Sequence, residues 1–286
     1  MKYAFMAAHE QEFSLKRMCQ VLKVSRSGYY AWKQRPQSRR ARANEDLLAA
    51  IRSIYQGSRK TYGSPRVHAY LRRKGYSCGR HRVARLMHKH QITARKARRR
   101  HPVTTQPAAG ARPAPNLLNR EFSAALPNQK WVSDITYIDT AEGWLYLAAI
   151  LDLHSRRIVG WAMAEQMDAD LVASALQIAL LTRQPHTGFL HHSDRGSQYT
   201  SEDYQSRLAD LQCQVSMSRT GNCYDNAVME SFFATLKVEC AASPFSSKAG
   251  ARLAIFEYIE GWYNRQRLHS SLDYFSPVDF ELTSGH

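Results

Sequence analysis

The sequence has no acidic residue between Leu47 and Arg120. That stretch of the 286-residue chain holds 18 of its 40 lysines and arginines, whereas the rest of the chain holds 22 basic and 24 acidic residues. A basic surface that served only solubility would be dispersed, so this confined excess predicts a polyanionic partner, and nucleic acid is the first candidate. A flexible basic tail is the alternative, although apolar periodicity runs through much of the segment.

Other absences exclude further classes of protein. There is no run of about 18 apolar residues, and charged and polar residues interrupt the N-terminal segment, so neither a membrane span nor a signal peptide is expected. The five cysteines are scattered and form no CxxC pair, which argues against zinc-ribbon and redox motifs. We therefore expect a soluble, cytoplasmic protein with reduced thiols, and its length predicts two or more domains.

The N-terminal region contains a pattern typical of a helix-turn-helix half. Residues 14–33 predict a short helix that ends near Leu22, a tight turn, and a second helix capped by Ser25 or Ser27. Small helical hairpins are common, so this pattern alone is weak. Its proximity to the basic segment strengthens the interpretation as a DNA-binding element.

A second helical unit begins at Ser64 and Pro65, an N-cap followed by proline at the first helical position. Gly75 ends this helix, and Ser77 can cap the next one. Two helices joined by a short turn place a recognition helix in the major groove of DNA. The DNA contacts predicted for this unit and for the basic cluster after it are Arg66, Arg72, Arg73, Arg80, Arg82, Arg85, Arg98, Arg99 and Arg100.

A change in composition marks the middle of the chain. Residues 95–125 combine a basic cluster with prolines and little apolar periodicity, which predicts a linker that either tracks phosphates or acts as a simple tether. The predicted domains are a helix-turn-helix-like segment at 1–45, a second helical basic domain at 46–94, the linker at 95–125, and a catalytic domain with a C-terminal helical extension at 126–286.

After Pro127 the pattern changes to strands. Three runs rich in β-branched and aromatic residues predict an antiparallel meander at 131–138, 145–153 and 157–163. The elements predicted after it are a helix at 168–181, a strand at 188–192, a helix at 201–211, a strand at 214–217, and helices at 224–239 and 248–264. This order predicts an α/β fold, a ribonuclease-H-like domain with a mixed five-stranded sheet and flanking helices, preceded by the all-α region.

Three carboxylates occur where these elements can bring them together. Asp134 interrupts an apolar and aromatic strand, where an unpaired charge is costly to bury. Asp194 follows the fourth strand, and Glu230 lies on the long helix that begins near residue 224. Taken singly, they also fit an edge-strand charge, a helix cap and a surface charge. Together they fit two-metal phosphodiester chemistry, which needs two or three carboxylates around cations about 4 Å apart.

Nearby polar residues have supporting roles in this interpretation. Lys237 lies two helical turns after Glu230 on the same face, where it could meet a phosphate. His192, Gln198 and Asn226 are candidates for hydrogen bonds to phosphates or to the metal ligands, although a histidine at the end of a buried strand is more often structural.

Four other carboxylates are rejected as members of the site. Glu239 is nine residues after Glu230 on the same helix, so it points away. Asp225 fits a cap of that helix better than a catalytic group. Asp139 and Asp152 are placed at strand ends beside turns.

Several long motifs occur in order along the chain. They are SRSGYYAW, YGSPRVHAYLRRKGY, WVSDITYI, HHSDRGSQYTS, GNCYDNAVMESFFATLKVE and YNRQRLHSSLDYFSPVDF. Through them the sequence resembles the integrase-core transposases of the IS3 insertion-sequence family, specifically the product of the second reading frame. The resemblance implies a catalytic triad of Asp134, Asp194 and Glu230 that holds two Mg²⁺ or Mn²⁺ ions, with Lys237 as a DNA contact.

The same resemblance implies an activity and a set of partners. The expected activity is metal-dependent cleavage and strand transfer of double-stranded DNA at element ends and in target DNA. The expected partners are further copies of the chain, at least a dimer on DNA, and the product of the upstream reading frame, all in the bacterial nucleoid. A catalytically idle DNA-binding regulator of the same element is the main alternative, and a ribonuclease acting on RNA–DNA hybrids is another.

Overall fold

The computed structural model describes residues 1–35, 38–95, 114–219 and 223–284. They form two compact units, Met1–Arg52 and Ser53–His286. The predicted DNA contacts Arg98, Arg99 and Arg100 lie outside the described residues. The domain boundaries drawn from the sequence stay predictions.

The first unit is helical. Its helices are α1 (Lys2–Ala8), α2 (Leu15–Leu22), α3 (Arg26–Gln34) and the first part of α4 (Arg39–Gly57). The helix pair predicted for residues 14–33 is confirmed, and its cap is Ser25, whose side chain accepts a hydrogen bond from the Gly28 amide at 3.0 Å. Met6, Met18, Cys19 and Tyr29 form the small core of this unit. Helix α4 was not predicted.

The second helical pair opens the larger unit and consists of α5 (Ser64–Arg73) and α6 (Arg80–Lys89). Gly75, with φ of 84°, follows the end of α5 as predicted. The predicted caps Ser64 and Ser77 are wrong, because the capping positions are Gly63 and Gly79 and neither helix has a side-chain cap. Backbone carbonyls at these glycines accept the first helical hydrogen bonds.

The α/β part contains the predicted five-stranded mixed sheet, in the order β3-β2-β1-β4-β5. Its strands are β1 (Lys130–Thr140), β2 (Gly143–Asp152), β3 (Ile158–Ala164), β4 (Leu190–Ser193) and β5 (Gln214–Met217). Strands β1, β2 and β3 form the predicted antiparallel meander, whereas β4 pairs parallel with both β1 and β5. The carboxyl ends of β1, β4 and β5 therefore lie at one edge of the sheet.

Helices flank this sheet. They are α7 (Ala169–Arg183), α8 (Glu202–Asp210), α9 (Ala227–Glu239), α10 (Lys248–Phe256) and α11 (Pro277–Ser284). A 3-10 turn at Cys223–Asn226 precedes α9, so the α-helix begins three residues later than the sequence predicts. The helix predicted at 248–264 changes after α10 into a π-helix, Glu257–Tyr263.

Close packing of α7 on the sheet defines the main core. Trp131, Ile150, Leu176 and Phe189 are among its buried side chains. On β3, a Cβ atom at Gly160 would overlap the Ala175 carbonyl oxygen and residue Ala179 of α7. The absence of a side chain at this position therefore lets helix and strand approach closely.

The second part of the predicted linker is packed against the sheet. The backbone amides of Leu117 and Leu118 donate to Ser216 Oγ at 2.9 and 3.1 Å, and the Met217 amide donates to the Pro115 carbonyl at 3.2 Å. Leu118 is buried. This part of the segment is not a free tether, because its backbone is hydrogen-bonded to β5 and the Leu118 side chain is buried.

Candidate active site

Two of the three predicted carboxylates occupy matching positions on parallel strands. Val132 of β1 pairs with His192 of β4. Asp134 lies two residues after Val132, and Asp194 lies two residues after His192, just beyond the end of β4. The two aspartates are therefore level with each other on neighbouring strands. Parallel pairing thus brings together two residues that are far apart in sequence.

Helix α9 brings in the third carboxylate. Helix α9 packs against β1, and Asn226, immediately before its first residue, donates from Nδ2 to the Ser133 carbonyl at 3.1 Å. Glu230 lies one turn after Asn226 on the same side of the helix. The hydrogen bond therefore fixes the start of α9 next to Asp134 and orients Glu230 toward it.

The electrostatics of Asp134 show that the groups converge. Burial raises the pKa of Asp134 well above its usual value, and the charges of Asp194 and Glu230 raise it further. The charge of Lys237 and a hydrogen bond from the Ile135 amide act in the opposite direction. Burial also raises the pKa of Glu230. The site thus concentrates negative charge in a partly dry environment, which is where a cation is stabilising.

Lys237 lies beside this carboxylate cluster, as predicted for a residue on the Glu230 face of α9. Its Nζ atom is 4.1 Å from the centroid of the Tyr137 ring, a cation–π contact. Tyr137 also packs edge-on against Trp144, and both rings are about half exposed. The sequence analysis missed these two aromatic residues. Their position near Asp134 on the meander is the signal that could have pointed to them.

One oxygen of each aspartate accepts a hydrogen bond from the backbone. Asp134 Oδ1 accepts from the Ile135 amide at 2.8 Å, and Asp194 Oδ1 accepts from the Gly196 amide at 2.9 Å. Across residues 1–35, 38–95, 114–219 and 223–284, no three His, Cys, Asp or Glu side chains form a ready metal-ligating group.

Two of the three predicted hydrogen-bonding residues have structural roles. His192 is buried, and its Nδ1 and Nε2 atoms lie 2.8 and 3.1 Å from the hydroxyls of Ser216 and Ser218. Both ring nitrogens are therefore occupied within the protein, and burial lowers the pKa of His192 to about 4. Gln198 donates from Nε2 to the Met167 carbonyl at 2.8 Å, which ties its loop to the segment before α7.

The rejected carboxylates lie outside the cluster, but one reason for rejection was wrong. Asp225 does not cap α9, because the capping position is Asn226. Instead, buried Asp225 accepts hydrogen bonds from Asn116 at 2.9 Å, Arg120 at 3.0 Å and Arg219 at 3.0 Å. It therefore attaches the segment around residue 116 to the loop before α9.

The other rejected carboxylates also have neighbours that explain them. Glu239 is buried and accepts hydrogen bonds from Tyr258, Trp262 and Arg267 at 3.0 to 3.1 Å. Asp152 accepts from the Asn128 and His154 amides. Asp139 is exposed near the end of β1.

The predicted DNA contacts on α5 and α6 fall into two groups. Arg72, Arg80 and Arg85 are exposed. Arg73 is also exposed, although its guanidinium lies 4.0 Å from the Phe275 ring centroid. Arg66 and Arg82 are half-buried, and Arg66 lies 5.7 Å from the Tyr62 ring centroid. Arg66 is therefore not a simple surface contact.

Comparison with known proteins identifies the family. The Integrase core domain model matches residues 124–223 and a second Integrase core domain model matches 211–277, while an HTH-like domain model matches 42–101. The transposase InsF for insertion sequence IS3A from Escherichia coli (strain K12) is 44% identical over 284 residues, covering 98% of both chains. The chain belongs to the IS3 family of insertion-sequence transposases.

A second relative of this IS3-family transposase carries a less specific name. The insertion element IS600 uncharacterized 31 kDa protein of Shigella sonnei is 46% identical over 264 residues, covering 92% of this chain and 97% of its own. The family models thus identify an integrase core and an HTH-like region in this chain. The ribonuclease-H-like fold class predicted from the sequence is confirmed.

Solved integrase structures are more distant. A simian T-cell lymphotropic virus intasome in complex with PP2A regulatory subunit B56 gamma has a TM-score of 0.47 and 14% identity, covering 81% of this chain and 74% of that chain. The HTLV-2 integrase catalytic core domain in complex with magnesium has a TM-score of 0.41 and 13% identity, covering 55% and 97%. Among the described residues of the IS3-family chain, no helix is both long and apolar enough for a membrane crossing.

Proposed function

We propose that this IS3-family transposase is a DNA strand transferase whose catalytic carboxylates are Asp134, Asp194 and Glu230. The observation that carries the proposal is the convergence on Asp134, where the charges of Asp194 and Glu230 both raise its pKa. Such mutual repulsion in a partly buried site is relieved by cations, and it has no stabilising role in the metal-free protein.

The donor set fits two Mg²⁺ ions, or Mn²⁺ as a substitute. Carboxylate oxygens are the hard ligands that both ions prefer. Buried Asn226 Oδ1 has no hydrogen-bond partner among the described residues, and this oxygen lies one turn before Glu230. When bound, such ions activate the attacking oxygen and stabilise the leaving oxygen of a phosphodiester.

The remaining chemistry belongs to the side chains of the protein. Asp134, Asp194 and Glu230 would hold the ions, and Asp134, whose pKa responds to both other carboxylates, would matter most. Lys237 holds a DNA phosphate near Asp134, since its ammonium group lies on the same side of α9 as Glu230. The Asn226 hydrogen bond to Ser133 keeps α9 in place while the other groups act.

The same proposal includes the partners. Double-stranded DNA, both element ends and target, is bound through the excess of basic residues on the helical pair, with exposed Arg72, Arg80 and Arg85 as contacts. Action on two DNA ends requires at least two copies of the chain. Joint action with the product of the upstream reading frame and association with the nucleoid complete the expected setting.

A strand-transfer assay tests the proposal. Labelled duplex carrying the element's ends is incubated with native protein or Asp194→Asn, with Mg²⁺, Mn²⁺ or EDTA. We expect cleaved and joined products only with metal and only for the native protein, while both proteins bind the duplex equally. The exposed carboxylate variant Asp139→Asn is the matched control and should remain active. Binding without cleavage by the native protein, even when fused to the upstream product, would instead identify the idle regulator.

A further inference from the structure

A cavity of about 310 Å³ lies within the unit Ser53–His286, apart from the carboxylate cluster. It is lined by α5, α9, the turn before β3 and the segment after the π-helix. On α9 the lining residues include Val228, Ser231 and Thr235. Because an α-helix rotates by about 100° per residue, these three lie on the side of α9 that faces away from Glu230. One helix thus separates the cavity from the triad.

The cavity walls are strongly basic. Arg66, Arg156 and Arg267 all line it. Arg267 is paired with Glu239 at 3.0 Å, but the residues that the structure describes place no carboxylate within ion-pair distance of Arg66 or Arg156. Burial lowers the pKa of both Arg66 and Arg156, and the neighbouring Arg267 lowers the pKa of Arg66 further. Glu239 and Asp152 offset these charges only at longer range, and Arg156 also donates to the Phe122 carbonyl at 2.7 Å. Guanidinium groups that line one cavity without a contacting carboxylate favour an anion.

Two polar atoms of the cavity residues lack partners. Arg66 Nε and His269 Nε2 are buried, and neither has a hydrogen-bond partner among the described residues. His269 is only 8% exposed. Native proteins seldom retain an unsatisfied buried polar atom without a ligand or an ordered water, because such an atom has lost its hydrogen bonds to solvent. The hydroxyls of Ser270 and Ser271 add further potential donors to the same wall.

We propose that this cavity is a binding site for a phosphate oxyanion, and that the phosphate is a backbone phosphodiester of the DNA on which the transposase acts. Guanidinium, imidazole and hydroxyl donors around a cavity with no carboxylate in its lining select an oxyanion over a cation or an apolar ligand. The assignment to DNA rests on the proposed function.

The position of the cavity explains why the phosphate belongs to DNA. Arg66 lies on α5, the first helix of the helical pair in the HTH-like region. In helix-turn-helix proteins the first helix crosses the DNA backbone while the second enters the groove. The opposite wall is α9, which carries Glu230 on its other side. A phosphate held here connects the DNA-binding helices to the helix that positions the triad.

A charge introduced into the cavity provides the sharpest test. Thr235 is half-buried and lines the cavity. In Thr235→Glu the new carboxylate places a negative charge in the cavity. In Thr235→Gln the new side chain is nearly the same size as glutamate but has no charge. DNA affinity is measured for the full chain by fluorescence anisotropy across salt concentrations in EDTA. Thermal unfolding is followed in inorganic phosphate and in chloride of equal ionic strength.

We expect Thr235→Glu to bind DNA about tenfold more weakly than the uncharged Thr235→Gln, with a salt dependence reduced by about one phosphate contact. Thr235→Glu should also be more heat-stable than Thr235→Gln in chloride, because it compensates the guanidinium charges. Arg66→Gln should weaken DNA binding more than Arg72→Gln, which removes only one surface contact. Phosphate should raise the unfolding temperature of the native protein but not that of Arg66→Gln.

Each other outcome overturns part or all of the assignment. If phosphate stabilises the native protein but Thr235→Glu and Thr235→Gln bind DNA equally, the cavity is a site for a free phosphate compound and not for DNA. If neither DNA nor phosphate responds to the introduced charge, the arginines serve only packing. These measurements are made in EDTA, which prevents catalysis. A negative result therefore does not contradict the proposed triad, and a failure of the proposed triad does not affect these measurements.

Discussion

Asn226 Nδ2 donates a hydrogen bond to the carbonyl oxygen of Ser133 at 3.1 Å, which fixes the start of helix α9 one residue away from Asp134 on β1. The distance between Asp134 and Glu230, two of the proposed catalytic carboxylates, therefore depends on a neutral amide. This relationship makes Asn226 a positioning residue, and it is testable without altering any of the three carboxylates.

Removal of this amide should affect metal use more than stability. We expect Asn226→Ala to lose about 1 kcal/mol of unfolding free energy through the missing hydrogen bond. Misplacement of Glu230 should also raise the Mg²⁺ concentration needed for half-maximal strand transfer. Asn264→Ala is the matched control, because Asn264 is a buried amide that bridges the backbone of Ile158 far from the triad. If both variants shift the Mg²⁺ dependence equally, Asn226 acts only through stability.

The raised pKa of Asp134 predicts that the site is a source of instability in the absence of metal. A carboxyl whose folded-state pKa lies above its unfolded value favours unfolding, and this effect grows as the pH rises from the unfolded-state pKa to the folded-state pKa, above which it is constant. Asp134→Asn should therefore unfold several degrees higher than native protein at pH 7 in EDTA, although it is inactive. The difference should shrink as pH falls toward the unfolded value of the carboxyl.

Added Mg²⁺ reverses this comparison. It should stabilise the native protein and leave Asp134→Asn nearly unchanged, since the variant has lost the shared ligand. Differential scanning calorimetry measures both effects. A variant that is less stable than native protein in EDTA at pH 7 would contradict the electrostatic account of the cluster.

Buried histidines predict acid sensitivity of the sheet. Burial lowers the pKa of His191 to about 3 and that of His192 to about 4, below the ordinary value of 6.5. Their stabilising contribution is complete above about pH 6.5 and is lost as pH falls from there to the folded-state pKa, by at most about 1.4 kcal/mol per pH unit for each histidine. His192→Gln should flatten the pH dependence of urea unfolding, whereas exposed His81→Gln should follow the native curve. Parallel curves for all three proteins would show that His192 is already charged when buried.

The contact between β3 and α7 should tolerate no side chain at Gly160. Gly160→Ala places a Cβ against the Ala175 carbonyl and Ala179, so we expect a loss of about 1–3 kcal/mol from overpacking. Gly79→Ala is the control, because nothing lies within 4 Å of a Cβ there. Urea unfolding of the two variants measures the difference. Equal stability would mean that α7 moves away from the sheet without cost.

The sheet and the candidate triad were predictable from the sequence because their signals are local. Strand periodicity marked the meander, and each carboxylate was conspicuous in its own element. Parallel pairing at Val132 and His192 then places Asp134 beside Asp194, which the order of elements already implied.

Long-range contacts were not predictable in the same way. Asp225 looked like a helix cap, yet it binds Asn116, which is 109 residues away. The caps assigned to Ser64 and Ser77 failed because glycine backbone carbonyls began those helices instead. The basic cavity unites Arg66 with Arg267, and no local pattern indicates that a residue of the helical pair faces the C-terminal segment.

Replacement of each carboxylate by cysteine tests the central claim most directly. Thiolate ligands accept Mn²⁺ better than Mg²⁺. Strand transfer by Asp134→Cys, Asp194→Cys and Glu230→Cys is therefore measured in both metals, with Asp139→Cys as the control. If the three carboxylates hold the ions, at least one of the three cysteine variants should be inactive in Mg²⁺ and regain joined product in Mn²⁺, while Asp139→Cys remains active in both. Full activity of any of the three in Mg²⁺ would contradict its assignment as a ligand.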